Sequence, residues 1–192
     1  MTGSDGPDYG ESWSVRRIVT TMFPLLLVLS ALEMTSGYVL ESLERVYVGN
    51  PTLLVLVPVT IGTAGNLGSI LSARLSTRLH LGLLSFDPRN EALQTNVVAV
   101  FALAMTVFTL LGGAAYVVGH LIGHPMALTT LLTITVTSGA ILAGVVVVLS
   151  VTATYASYRL GLDPDDTTIP VVTNLADIIG VFVLSGVSLA VL

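Results

Sequence analysis

The chain contains no cysteine, no lysine and very little charge of either sign. Without cysteine there can be no disulfide and no thiolate chemistry. Only 10% of the 192 residues are charged, against about 25% in an average soluble domain. Hydrophobic residues make up 53%, and the mean hydropathy is +0.90. This composition excludes a disordered chain, a coiled coil and a soluble enzyme with a polar shell, and it indicates an integral membrane protein. A net charge of −5 also excludes a basic surface for nucleic acid.

Five apolar stretches are long enough for the roughly 20 residues of helix that cross a bilayer. Their apolar runs are continuous, as in AILAGVVVVLSV, and do not alternate as in a β-barrel. We therefore predict an all-α membrane protein with spans near 18–40, 52–78, 95–119, 127–157 and 169–192. Residues 1–15 are polar and acidic and are expected to form a disordered cytoplasmic tail, so that 16–192 form the membrane domain.

The arginines predict the orientation in a cell membrane. Six of the seven would lie on one side of the membrane, and only Arg45 would lie on the other. The six are Arg16, Arg17, Arg74, Arg78, Arg89 and Arg159. By the positive-inside rule the N-terminus is cytoplasmic and the C-terminus is outside. A cleaved secretion signal after Arg17 is the less favoured interpretation, because the apolar run continues and four more spans follow.

Three polar residues fall inside predicted spans: Glu33 in span 1, Asn66 in span 2 and Asp177 in span 5. A charge near the bilayer centre costs about 2.5–3.5 kcal/mol, so such residues are candidates for a functional site. The alternative is a protonated carboxyl group or a hydrogen bond that joins two helices. This alternative remains most open for Glu33.

Span 5 combines an acidic entrance with a polar stripe. Asp163, Asp165 and Asp166 precede it, where they can concentrate cations at a cytoplasmic mouth. Within the span, Pro170 and Asp177 are seven residues apart and share one helical face. We expect Thr168 to cap this helix and Pro170 to lie in its first turn. Carboxylate and water oxygens are the ligands that Mg²⁺ prefers, so the stripe predicts passage of a divalent cation.

Span 2 contains glycines at every third position. Gly62, Gly65 and Gly68 are expected near one face, where small residues let another helix or a hydrated ion approach the backbone. Simple helix packing is the competing explanation.

Other chemistry finds little support in the sequence. His120 and His124 have a spacing that suits zinc, but the flanking glycines and Pro125 favour a plain outer turn. There is no H-E-x-x-H, no G-x-S-x-G and no phosphate-binding loop. We therefore expect a transporter without an organic cofactor, and not an enzyme.

Two segments resemble the MgtE family of magnesium transporters and channels. The segment from Asp163-Pro164 through Pro170 to Asp177 and Gly180 resembles the family's fifth-helix signature, and GTAGNLG (62–68) resembles its glycine-rich second helix. LSARLSTRLHLG (71–82) is closer to the solute carrier family 41 branch and its archaeal relatives.

The resemblance implies a dimer of five-helix units, or a fusion of two, with a pore lined by spans 2 and 5 on the two-fold axis. By this resemblance Asp177 would match the central carboxylate that contacts hydrated Mg²⁺. Thr173 would match the position whose backbone carbonyl also contributes to the Mg²⁺ site, and Asn66 would match the pore-lining Asn. Asn174 stands where the family often has Thr. The cytosolic sensor of bacterial members has no counterpart among residues 1–15.

Three functional hypotheses remain open. The first is a Mg²⁺-selective channel, and the second is an exchanger that couples Mg²⁺ to Na⁺. The third is a subunit that pairs with a homologous half. Expected partners are thus a second copy or such a half, within the lipid bilayer.

Overall fold

The computed structural model describes residues 15–83, 86–87, 89–162 and 164–192. Throughout these ranges the regular structure is helical, and no strand is present. The helices are α1 (Val15–Ser42), α2 (Glu44–Gly49), α3 (Pro51–His80), α4 (Glu91–Leu121), α5 (Leu128–Arg159) and α6 (Pro164–Val191). The predicted tail lies outside the described residues, apart from its last residue, Val15, with which α1 begins.

Five of these helices are long and apolar enough to cross a membrane, which confirms the predicted number of spans. They are α1, α3, α4, α5 and α6. The 30 residues of α3 rise about 45 Å at 1.5 Å per residue, so this helix exceeds the hydrocarbon thickness of about 30 Å. The spans therefore extend beyond the bilayer core or tilt within it.

The short helix α2 was not expected, because the sequence indicated only a loop between the first two spans. Its Tyr47 is buried, and the phenol lies 2.8 Å from the Ser185 hydroxyl of α6. Burial raises the pKa of Tyr47, and the hydrogen bond to Ser185 partly offsets this rise. Pro51 then begins α3, at a position where its missing N–H costs no helical hydrogen bond.

The start of α6 corrects a local prediction. The helix begins at Pro164, so Thr168 does not cap it and Pro170 lies in its interior. The physical reason is that Pro164 already suits a first helical position, and the acidic residues that follow it favour a helix N-terminus. Thr168 is buried instead, with its hydroxyl 3.1 Å from that of Ser157 on α5.

The centre of the molecule is formed by α3, α5 and α6, which all pack on one another. α4 covers α3 and α5, and α1 lies at the periphery against α6. One apolar cluster includes Leu71, Phe108 and Leu142, and a second at the α2 end includes Leu53 and Leu131. The contact of α3 and α5 also contains a buried polar pair, in which the Ser72 hydroxyl donates to that of Ser150 at 3.2 Å.

Candidate functional site

Asp177 lies near the middle of α6 and faces α3 across a very close helix contact. A Cβ added to Gly65 would overlap the Oδ1 atom of Asp177 and would lie 3.1 Å from Cγ2 of Thr173. The Oδ1 atom is buried against the backbone of Gly65, and among the described residues no hydrogen bond of good geometry reaches it. Glycine at position 65 therefore creates the space that this carboxylate occupies.

Glu33, at mid-span in α1, is brought to the same place. Glu33 and Asp177 line one cavity of about 220 Å³ together with Ser36, Ile61 and Val181. The sequence identified the two carboxylates separately and gave no indication that they meet. Ser36 was missed, although its position one turn after Glu33 on a helix could have indicated a shared face.

Asn66 and Gly62 are exposed on α3 and are not among the residues that line this cavity. A Cβ at Gly62 would meet nothing within 4 Å, whereas one at Gly68 would lie 2.8 Å from Cγ1 of Val172 on α6. The three glycines thus do not share one face. Each three-residue step advances about 300°, so the first and the last differ by about 120° around the helix.

Polar residues in the first half of α6 form hydrogen bonds with other groups of the protein. Asn174 donates its side-chain amide to the carbonyl of Pro170 at 2.9 Å. The Ser157 hydroxyl of α5 lies 2.9 Å from that of Thr167. Of the predicted acidic mouth, Asp163 lies outside the described residues, and Asp165 and Asp166 fall in the first turn of α6.

The two candidate zinc-binding histidines lie apart from this site. His120 lies in the last turn of α4, and its Nδ1 atom is 2.8 Å from the carbonyl of Tyr116. His124 follows in the turn, where its carbonyl accepts a hydrogen bond from Thr52 at 2.5 Å. Among the residues that the structure describes, no group of three His, Cys, Asp or Glu side chains is placed to hold a metal ion.

Comparison with known proteins connects this site to a family. The chain is 26% identical over 176 residues to solute carrier family 41 member 3 of Rattus norvegicus, which covers 88% of this chain and 38% of that protein. It is 25% identical over 166 residues to solute carrier family 41 member 2 of Gallus gallus, covering 80% and 28% respectively. The chain thus spans only about a third of these relatives. The family model of MgtE, described as a divalent cation transporter, matches residues 57–187, which include Gly65 and Asp177 but not Glu33. The chain, a multi-pass membrane protein, therefore belongs to the MgtE family and is similar to the solute carrier family 41 proteins.

Proposed function

We propose that this chain moves Mg²⁺ across the membrane along a path formed by α3 and α6, with Asp177 as the principal carboxylate. The observation that supports this most directly is the position of Asp177 at mid-span, where it lines a cavity of about 220 Å³. A carboxylate in that position is costly unless something compensates its charge. A hydrated divalent cation would compensate it, because Mg²⁺ binds through one or two carboxylates and keeps several waters.

The other predicted residues have supporting roles in this proposal. Thr173 lies one turn before Asp177 and would offer a carbonyl to the ion. Asn66 and Gly62 lie on the exposed face of α3, where a two-fold partner would enclose them. The N-terminus would be cytoplasmic, and Asp163, Asp165 and Asp166 would attract cations to the inner mouth. A membrane potential of 100 mV supplies about 4.6 kcal/mol for each divalent ion, which drives uptake through a channel without a coupled ion.

The direct test replaces Asp177 by Asn, which removes the charge and keeps the size. We expect Mg²⁺ flux into proteoliposomes to fall at least tenfold, roughly the equivalent of 1.4 kcal/mol of lost stabilisation of the ion. The matched control is Asp87→Asn, the same change at an exposed loop position, and it should leave flux unchanged. Wild-type flux in Asp177→Asn, with normal insertion and elution, would refute the assignment of this carboxylate.

A Na⁺-coupled exchanger is the second candidate, and the observation that favours it is Pro170 inside α6. An interior proline removes a helical hydrogen bond, so the helix can bend there during alternating access. Flux that requires an opposing Na⁺ gradient would identify the exchanger, and flux driven by voltage alone would identify the channel. Flux from the purified chain alone would exclude the need for a homologous half.

A further inference from the structure

The last part of α3 carries two arginines one helical turn apart, Arg74 and Arg78. Together with Ala73 and Thr77 they line a cavity of about 250 Å³ at the surface of the molecule. The described residues that line this cavity include no carboxylate. Two positive charges therefore border a space that their smaller neighbours leave open.

A buried asparagine of α4 holds the first of these arginines in place. The Nε atom of Arg74 donates to Oδ1 of Asn96 at 2.6 Å, and Nδ2 of Asn96 donates to the carbonyl of Ala92 at 2.7 Å. Asn96 is only 1% exposed. The bond uses one of the five N–H donors of the guanidinium group and orients the other four. An arginine that served only to anchor α3 at a membrane surface would need its charge but no such support.

Both arginines lie where the hydrocarbon of a bilayer ends. The 30 residues of α3 are centred between Gly65 and Asn66. With a rise of 1.5 Å per residue, Arg74 is about 13 Å and Arg78 about 19 Å from that centre. Half of the hydrocarbon thickness is about 15 Å. A helix centred in the bilayer therefore brings the two guanidinium groups to the level of the lipid headgroups, which long basic side chains can reach from the edge of the hydrocarbon.

We propose that Arg74 and Arg78 bind the phosphate of an anionic membrane lipid in this cavity, with Asn96 as a positioning residue. A guanidinium group whose orientation is fixed can donate to two phosphate oxygens at once, and a second arginine one turn away adds to the attraction. The site includes neither Asp177 nor Asn66, so it does not depend on the proposed path for Mg²⁺.

The surface of α4 favours a lipid over a soluble phosphate. A cavity of about 370 Å³ on this helix has an almost entirely apolar lining, formed by Leu93, Gln94, Val97 and Val98. Val97 directly follows Asn96, so an acyl chain of the bound lipid can lie along this part of α4. The acidic Glu91 borders a separate cavity of about 540 Å³ beside Arg78. Its charge would repel a phosphate there, and this places the phosphate between the two arginines.

The test titrates the purified full chain in detergent with phosphatidylglycerol, or with phosphatidylcholine of the same acyl chains, and counts bound lipids by native mass spectrometry. We expect the first phosphatidylglycerol to bind about tenfold tighter than the first phosphatidylcholine. Arg74→Gln and Arg78→Gln should each reduce this preference about fivefold, the usual effect of one basic residue on an anionic lipid.

The matched control is Arg159→Gln, the same change at the exposed arginine that ends α5. It lies on the same side of the membrane, since Phe86 of the loop after α3 packs on Tyr155 one turn before it. This variant should keep the preference of the wild type, because Arg159 is not among the residues that line the cavity.

The role of Asn96 is tested by Asn96→Leu, which keeps the approximate size and removes the acceptor. This variant should lower the preference for phosphatidylglycerol and leave the affinity for phosphatidylcholine unchanged. In the Arg74→Gln background it should have no further effect, because Asn96 acts through Arg74. A preference equal to that of the wild type in Asn96→Leu would overturn the positioning role.

Three other outcomes would overturn the lipid site. They are equal affinity of the wild type for the two lipids, equal losses in Arg74→Gln and Arg159→Gln, and displacement of the bound lipid by millimolar inorganic phosphate, which would assign the cavity to a soluble anion. Should Arg74→Gln not fold, Arg78→Gln decides, because the Arg78 side chain takes no part in the bond to Asn96.

Discussion

At the scale of single residues, two glycines of α3 that look alike in the sequence have different surroundings. Gly65 faces Asp177 and leaves no space for a Cβ, whereas Gly62 faces open space. We predict that Gly65→Ala displaces the carboxylate, abolishes most Mg²⁺ flux and destabilises the chain by about 1–3 kcal/mol, the usual cost of overpacking. Thermal unfolding in detergent, followed by size-exclusion chromatography, measures the loss.

Gly186→Ala is the control, because the same methyl group meets none of the described residues and alanine favours a helix. It should leave thermal stability unchanged or slightly higher. The double variant Gly65→Ala with Asp177→Ala should recover stability without flux, since the overlapping oxygen is gone. Equal destabilisation by Gly186→Ala and Gly65→Ala would contradict the geometry of this contact.

The sequence predicted which residues are unusual but not which of them meet. A charged residue inside an apolar run is visible without a structure, so Asp177 and Glu33 were found from the hydropathy pattern alone. The cavity that they share was not predicted, because it depends on how α1 packs against α6. The spacing of residues along the chain does not reveal contacts between distant helices.

At the scale of helices, Ser157 connects the start of α6 to α5. Its hydroxyl lies 2.9 Å from that of Thr167 and 3.1 Å from that of Thr168, both before the interior Pro170. We predict that Ser157→Ala loosens the segment 164–169 and leaves the later part of α6 unaffected. Loss of about 1–2 kcal/mol of hydrogen bonding should speed amide exchange there roughly 5–30-fold.

Hydrogen–deuterium exchange with mass spectrometry resolves this segment. Thr152→Ala is the matched control, because that hydroxyl is exposed and bonds to the carbonyl of Val148 in its own helix. Its exchange pattern in α6 should equal that of the wild type. Faster exchange along the whole of α6 in Ser157→Ala would show global destabilisation and would contradict a local connection.

Helix number was predictable, but helix ends were less so. Each of the five long apolar runs must form a helix in a bilayer, since its backbone N–H and C=O groups can form hydrogen bonds only within the segment itself. The extra helix α2 escaped prediction because its buried Tyr47 contacts Ser185, a partner 138 residues away that the local sequence does not reveal. The early start of α6 was not predicted, because two prolines in this segment suit a first helical turn. The prediction chose Pro170, whereas the helix begins at Pro164.

At the scale of the whole molecule, one face of α3 remains uncovered by the described residues of its own chain. Pro58, Gly62 and Asn66 recur every four residues along it, and all three are exposed. An amide at mid-span is costly against lipid, and small or polar residues are typical of contacts between membrane helices. Gly65 and Gly68, by contrast, are covered by α6.

The last prediction is that this uncovered face forms the two-fold contact of the active dimer. Because the chain has no cysteine, Asn66→Cys introduces a single thiol, and a two-fold axis beside α3 would bring two copies within the roughly 4.4–6.8 Å between Cα atoms that a disulfide needs. We expect oxidation to yield a covalent dimer in proteoliposomes. Leu103→Cys, near mid-span and exposed on α4, is the control that should remain monomeric on a denaturing gel. Cross-linking at Leu103 but not at Asn66 would place the dimer contact elsewhere. Full Mg²⁺ flux from an isolated monomer would show that no dimer is needed.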